Sequence, residues 1–199
     1  MTNYIIFVAG KKGSGKTTFV IGKIIPKFDR VLILDSLSEY NGFICNDINH
    51  FLNVLESNYN RNSFKIIYRP LDQRDADFFI IAQHLFNVTF VIEEADIYSN
   101  PYKIDENFEK LVKYGRHYRQ NIICVSRRAA EISRSITAQS DIIITFKQTE
   151  KRDIDYFRFL IKDPESLTLL ENSDGFKHIK NKHFRILSGE DLAQKILAL

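Results

Sequence analysis

Residues Gly10 to Thr17 read Gly-Lys-Lys-Gly-Ser-Gly-Lys-Thr and directly follow the apolar run Tyr4 to Ala9. This is a complete Walker A loop, G-x-x-x-x-G-K-T, between a predicted strand and a helix predicted to start at Lys16. Gly10, Gly13 and Gly15 let the backbone curl until its N–H groups converge on phosphate oxygens. The helix N-terminus adds its positive end. Lys16 is expected to reach the β- and γ-phosphates, and the Thr17 hydroxyl to hold Mg²⁺. The loop as a whole, Gly10, Lys11, Lys12, Gly13, Ser14, Gly15, Lys16, Thr17 and Thr18, is the expected cradle for ATP. A glycine-rich turn that matches by chance is the bland alternative. A strand before the loop and a helix after it argue against that alternative.

A second chemical feature is Thr89-Phe90-Val91-Ile92-Glu93-Glu94-Ala95-Asp96, an apolar strand that ends in adjacent acids. Triphosphate hydrolysis needs a metal to neutralise developing charge and a carboxylate to orient water in line. Glu93 is the expected metal-assisting acid, together with Thr17, and Glu94 the expected activator of the attacking water. Neighbouring strand residues point to opposite faces, so both acids reach one site only because the strand ends there. Two solvated loop acids would be the alternative.

The elements around these residues alternate regularly. Strands are predicted at Tyr4 to Ala9, Val31 to Leu34, Phe64 to Tyr68, Thr89 to Ile92, Ile122 to Val125 and Ile142 to Phe146. They are short and mostly apolar along their whole length, as strands covered on both faces are. Helices are predicted at Lys16 to Ile25, Ile48 to Asn58, Asp72 to Phe86, Asp105 to Tyr118, Ala129 to Arg134 and Asp153 to Ile161. A hairpin, Phe176 to Lys180 with His183 to Leu187, and a helix from Asp191 to Leu199 complete the chain. The alternation predicts an α/β fold of the RecA-like, ASCE type: a mainly parallel sheet between helices, with a small C-terminal hairpin and helix. No linker or repeat divides the 199 residues, so residues 1–199 are expected to form one ATPase domain.

Composition excludes other classes. No apolar run approaches the roughly 20 residues that cross a bilayer, and no signal peptide is expected. Cys45 and Cys124 lack metal-ligand spacing and suggest no oxidising compartment. A net charge of +3 permits a nucleic-acid partner only where the basic residues cluster.

A third set of residues carries a family resemblance. Val31 to Leu34 leads into Asp35, a short spacer and Glu39-Tyr40. Later come Gly115-Arg116, then the strand Ile122 to Val125 with Ser126 at its end. In this order the motifs from residue 4 to 147 resemble the HerA/FtsK superfamily of DNA-pumping ATPases. The first strand begins at Tyr4 and little follows the motor, so the chain looks most like the small viral genome-packaging ATPases of that superfamily. The resemblance implies an ATP-driven translocase for double-stranded DNA. It implies a homo-oligomeric ring, pentamer or hexamer, that meets capsid or membrane vertex proteins of a virion. It places the motor in the host cytoplasm, at a packaging vertex. It makes Ser126 a candidate polar sensor, with a turn or helix-cap role as the alternative. The chain departs from the pattern at Arg127, where relatives often carry glutamine.

A ring ATPase needs an arginine at its neighbour's γ-phosphate. Arg116 and Arg128 are the leading candidates, with Arg119 and Arg127 behind them; each could equally be a surface charge or a DNA-phosphate contact. Two rival functions stay open. A nucleoside or nucleotide kinase uses the same loop, although it has no need of the Glu93-Glu94 pair. An assembly switch would bind ATP without moving DNA.

Lys16→Ala is expected to abolish tight nucleotide binding, because it removes the cation that meets the β- and γ-phosphates. Equilibrium binding of a fluorescent ATP analogue checks this. Wild-type affinity in the variant would remove the Walker A assignment.

Overall fold

The computed structural model describes residues 3–172 and 183–197. In chain order the elements are β1 (Ile5–Ala9), α1 (Lys16–Phe19), β2 (Arg30–Leu34), β3 (Phe43–Cys45), α2 (Ile48–Asn58) and β4 (Phe64–Tyr68). There follow α3 (Asp77–Ala82), β5 (Thr89–Ile92), α4 (Glu106–Tyr114), β6 (Asn121–Ser126) and α5 (Arg134–Ala138). The last are β7 (Ile142–Phe146), α6 (Lys151–Tyr156), β8 (Phe184–Ser188) and α7 (Glu190–Leu197). The strands form one eight-stranded sheet in the order β3-β4-β2-β5-β6-β1-β7-β8. All neighbours run parallel except β7 and β8.

The mostly apolar central strands are covered on both faces, as their composition predicts. Phe7, Leu32, Tyr68, Phe90 and Cys124 point into one core, under α2, α3, α4 and α5. Their chain neighbours Val8, Ile33, Ile67, Val91 and Val125 point into the other, with Phe19 and Val20 from the helix after the loop and Ala193 from α7. This period-two division makes the sheet a rigid platform, and the loops that follow β1, β2, β5 and β6 all leave from its C-terminal edge.

Helix boundaries depart from the expectation for local reasons. The helix predicted over Lys16 to Ile25 is α-helical only to Phe19, continues as a wider π turn over Val20–Ile24, and closes in a 3₁₀ turn, Ile25–Lys27. Pro26 has no N–H to give the carbonyl of Gly22, and its ring crowds that carbonyl. The stretch Asp72 to Phe86 contracts to α3. Asp72 and Asp75 accept hydrogen bonds from the N–H groups of Arg74 and Asp77, and these local bonds compete with helix. Side-chain caps do fix three starts: Asp47 accepts from the His50 N–H ahead of α2, Asp105 from those of Asn107 and Phe108 ahead of α4, and Ser133 from that of Ser135 ahead of α5.

The three-residue edge strand β3 is too short to show in the sequence pattern. The arm predicted at His183 to Leu187 is β8, paired antiparallel with β7. Its predicted partner arm, Phe176 to Lys180, lies outside the described residues. Among the described residues no helix is long and apolar enough to cross a membrane.

The core beneath the site is aromatic. Phe79 is fully buried, stacks on Phe108 at 4.6 Å between ring centroids, and meets Tyr98 edge-on at 5.0 Å. Phe79→Ala should cost about 3–5 kcal/mol, since rigid neighbours cannot collapse into the space. Urea unfolding of the two proteins measures the difference.

Candidate functional site

Strand order decides what meets what. In the sheet β6 lies between β1, which feeds the Walker A loop, and β5, which ends in Glu93. The loops that leave β1, β5 and β6 therefore emerge side by side. Gly10 N–H bonds the Ser126 carbonyl at 3.3 Å, which ties the start of the loop to the end of β6. A Cβ at Gly10 would lie 2.6 Å from Phe146 Cβ, so the loop passes β7 too closely for any side chain. Gly15 takes φ 99°, a left-handed turn that glycine allows without strain, and this turn starts α1. Ser14 is fully buried within the loop, and its hydroxyl finds no hydrogen-bond partner among the described residues.

Lys16 is buried, and its ammonium donates to the Lys11 carbonyl across the loop at 3.3 Å. Burial lowers its pKa, while Glu93 and Glu94 work in the opposite direction. Thr17 follows on the same turn and donates through Oγ1 to Glu93 Oε1 at 3.2 Å. Glu93 Oε2 accepts a 2.6 Å bond from the Tyr40 hydroxyl. Tyr40 is itself buried and is held from behind. Asp35 accepts from the backbone N–H groups of Glu39 and Tyr40, and Arg69 donates to Asp35 at 2.6 Å and to the Tyr40 carbonyl at 2.8 Å. The Asp35…Glu39-Tyr40 segment is thus a brace that delivers one phenol to one carboxylate. Sequence reasoning noted the segment and missed this contact. The signal was the buried-type aromatic beside an acid, but reading it requires knowing that β2 and β5 are neighbours.

Both acids are poorly solvated. Burial raises Glu93 to a pKa of about 7 against the opposing effects of Tyr40, Lys16 and Thr17. Burial, then nearby Asp96, raises Glu94 to about 7 against the pull of Arg127 and Lys16. Glu94 sits in the left-handed region, φ 50° and ψ 53°, which turns its side chain away from the line of β5. Arg127 Nε donates to Glu94 Oε2 at 2.8 Å. Lys12, Lys16, Thr17, Glu93, Glu94 and Arg127 line one cleft of about 530 Å³.

The remaining sequence candidates are spread out. Ser126 is fully buried; its hydroxyl donates to Asp96 at 2.9 Å and accepts from the Arg128 N–H. Arg128 Nε donates to buried Asp153 at 2.7 Å. Arg116 lies in the 3₁₀ turn Gly115–Tyr118 that precedes β6, at the opposite edge of the sheet from the Walker A loop. Arg119 ends that turn and lies over the Phe86 ring.

The Thr17 hydroxyl and Glu93 carboxylate form the kind of hard-oxygen pair that Mg²⁺ prefers, and Lys16 lines the same cleft. The residues present therefore fit that cation.

No protein-family model matches the chain, and no curated protein sequence matches it. Solved structures do. The genome-packaging NTPase B204 from Sulfolobus turreted icosahedral virus 2, in complex with ATP-γS, aligns over 95% of this chain and 93% of its own, with a TM-score of 0.69 and 20% identity. The DNA-packaging ATPase from Sulfolobus turreted icosahedral virus aligns over 94% and 98%, with a TM-score of 0.61 and 15% identity. The pCW3 conjugation coupling protein TcpA aligns over 98% of this chain and 65% of its own, with a TM-score of 0.56 and 12% identity. The chain has the fold of a P-loop NTPase. It shares that fold with these proteins, two of which are described as a genome-packaging NTPase and a DNA-packaging ATPase.

Tyr40→Phe deletes one hydroxyl and leaves the packing. Outer-sphere partners of metal-assisting groups are typically worth about 10–100-fold in affinity or activity. The Mg²⁺ concentration for half-maximal ATP turnover should therefore rise by about tenfold or more. A magnesium titration at fixed ATP reads this directly; an unchanged midpoint would mean that Tyr40 only packs.

Proposed function

We propose that this protein is an ATP hydrolase that drives double-stranded DNA into a preformed viral capsid. The observation that supports this best is the convergence of Lys16, Thr17, Glu93 and Glu94 on one cleft at the ends of β1 and β5. The alternation of two acids in two settings divides the labour. Glu93, braced by Tyr40 and Thr17, is the acid suited to a metal role. Glu94, whose backbone turns it away from the strand, is suited to face water.

In the proposed reaction a water oxygen bonds to the γ-phosphorus as the bond between that phosphorus and the β–γ bridging oxygen breaks. Glu94 accepts the proton that the water loses, and ADP leaves with the bridging oxygen. Lys16 matches the negative charge on the β- and γ-phosphates, and the loop N–H groups hold the rest. Mg²⁺, when bound by Thr17 and Glu93, supplies further positive charge at those oxygens.

The proposed assembly is a homo-oligomeric ring, pentameric or hexameric, in which one subunit's arginine completes the next subunit's site. Arg116 suits that task better than Arg128. Arg116 is exposed on the far edge of the sheet, where a neighbour can approach, whereas Arg128 is already committed to Asp153. The proposed partners are duplex DNA and capsid or membrane vertex proteins. The proposed setting is the host cytoplasm, at a packaging vertex. The likeness to packaging NTPases supports this reading at the level of fold.

ATP turnover with linear duplex DNA, with nucleoside monophosphates and with neither tests the proposal. Duplex DNA should stimulate turnover, and Glu94→Gln should bind ATP yet lose about 10²–10⁴-fold in turnover for want of a proton acceptor. Phosphoryl transfer to a monophosphate, with no response to DNA, would replace the motor with a kinase.

A further inference from the structure

Arg127 follows β6 directly and enters the same cleft as Lys16 and Glu94 because β6 lies between β1 and β5. Through Nε it holds Glu94 Oε2 at 2.8 Å. Among the described residues its two terminal nitrogens bond no protein group, and its side chain is 44% exposed, against 5% for that of Glu94. The acid is thus buried and fixed while the arginine reaches in from the open side with most of its donors to spare. A carboxylate oxygen engaged by a guanidinium is a poor proton acceptor, since its lone pair and its charge are already matched. Loosening the pair frees Oε2 and removes the pull of Arg127, which makes Glu94 the better acceptor for a water's proton. Arg127 already lies close enough to Lys16 to oppose its positive charge. A γ-phosphate bound at Lys16 would bring a doubly charged, three-oxygen acceptor to that place, which suits a guanidinium fork better than one carboxylate oxygen does. A diphosphate would bring no such acceptor.

We propose that Arg127 is a specificity-determining residue of this site, acting within its own chain: it exchanges Glu94 for the γ-phosphate, so that Glu94 is released to act on water only when a triphosphate is bound. The inference rests on the reading of the cleft as an ATPase site. A ligand shifts such an equilibrium only through its different affinity for the two arrangements, so the exchange must appear as discrimination between triphosphate and diphosphate.

Calorimetric binding of Mg²⁺–AMPPCP and of Mg²⁺–ADP tests this with the full chain, using wild type, Arg127→Ala, Arg127→Gln, Glu94→Gln and the Arg127→Ala/Glu94→Gln double variant. Arg127→Ala should weaken AMPPCP by about tenfold to hundredfold, the usual range for one charge-assisted bond. It should change ADP less than about twofold. Glu94→Gln removes the competitor and should tighten AMPPCP several-fold, a gain that vanishes in the double variant. Arg127→Gln keeps side-chain bulk and should behave as the alanine variant does, which separates lost charge from lost packing. Equal losses for both nucleotides, or an AMPPCP affinity indifferent to Glu94→Gln, would overturn the exchange. Binding needs no turnover, so the two proposals separate. A wild type that never hydrolyses ATP yet shows the Arg127-dependent preference overturns the ATPase reading alone. A wild type that hydrolyses while Arg127→Ala keeps the preference overturns the exchange alone. A wild type that binds neither nucleotide overturns both.

Discussion

Three ionisable groups share one poorly solvated cleft: Lys16, Glu93 and Glu94 are each 6% exposed or less. Charges removed from water are tolerable only when each meets a partner, and the architecture of this edge follows from that constraint. Lys16 finds a carbonyl in its own loop, Glu93 finds Thr17 and Tyr40, and Glu94 finds Arg127. The two acids follow β5 and their partners come from three other strand ends, β1, β2 and β6, so the sheet must fix its strand order before either acid can be satisfied. The parallel core, with its two apolar faces, supplies that order.

The braces differ in stiffness. Tyr40 is buried, its backbone is bonded to Asp35, and Asp35 is paired with Arg69. Glu93 is therefore held by a chain of contacts that runs through the interior. Glu94 is held by a half-exposed side chain. Pairs open to solvent contribute little stability and rearrange readily, whereas a buried phenol–carboxylate bond is costly to break unless both groups find new partners. Adjacent acids in the sequence thus sit in one rigid and one labile setting.

Much of this was legible in the sequence where composition alone decides the outcome. The strands at Phe64 to Tyr68, Thr89 to Ile92 and Ile142 to Phe146 were readable because every residue in them but exposed Lys65 is buried. Ile48–Asn58 was readable because Asp47 caps a periodic stretch. The boundaries around Pro26 and Asp72 were not, because a ring clash and local side-chain bonds outweigh helical periodicity there. Strand order was illegible for a deeper reason. Nothing along the chain says that β6 inserts between β1 and β5. The pairing of Arg127 with Glu94, and of Tyr40 with Glu93, therefore has no one-dimensional signature. Arg116 and Arg128 looked alike as candidates, yet one lies at the far edge and the other is tied to an acid from α6, a distinction that only tertiary structure makes.

The outermost strand at one side of the sheet, β3, runs only from Phe43 to Cys45 before Asp47 opens the next helix. An unpaired strand margin is a template for another polypeptide, and a margin this brief offers very few main-chain groups in a row. Copies of this protein thus have little means of fusing into a continuous β-ribbon along that margin. A contact made there would rest on side chains and loops, which can separate and re-form without unzipping a ladder. A chain with so brief a margin resists stacking into fibres through it.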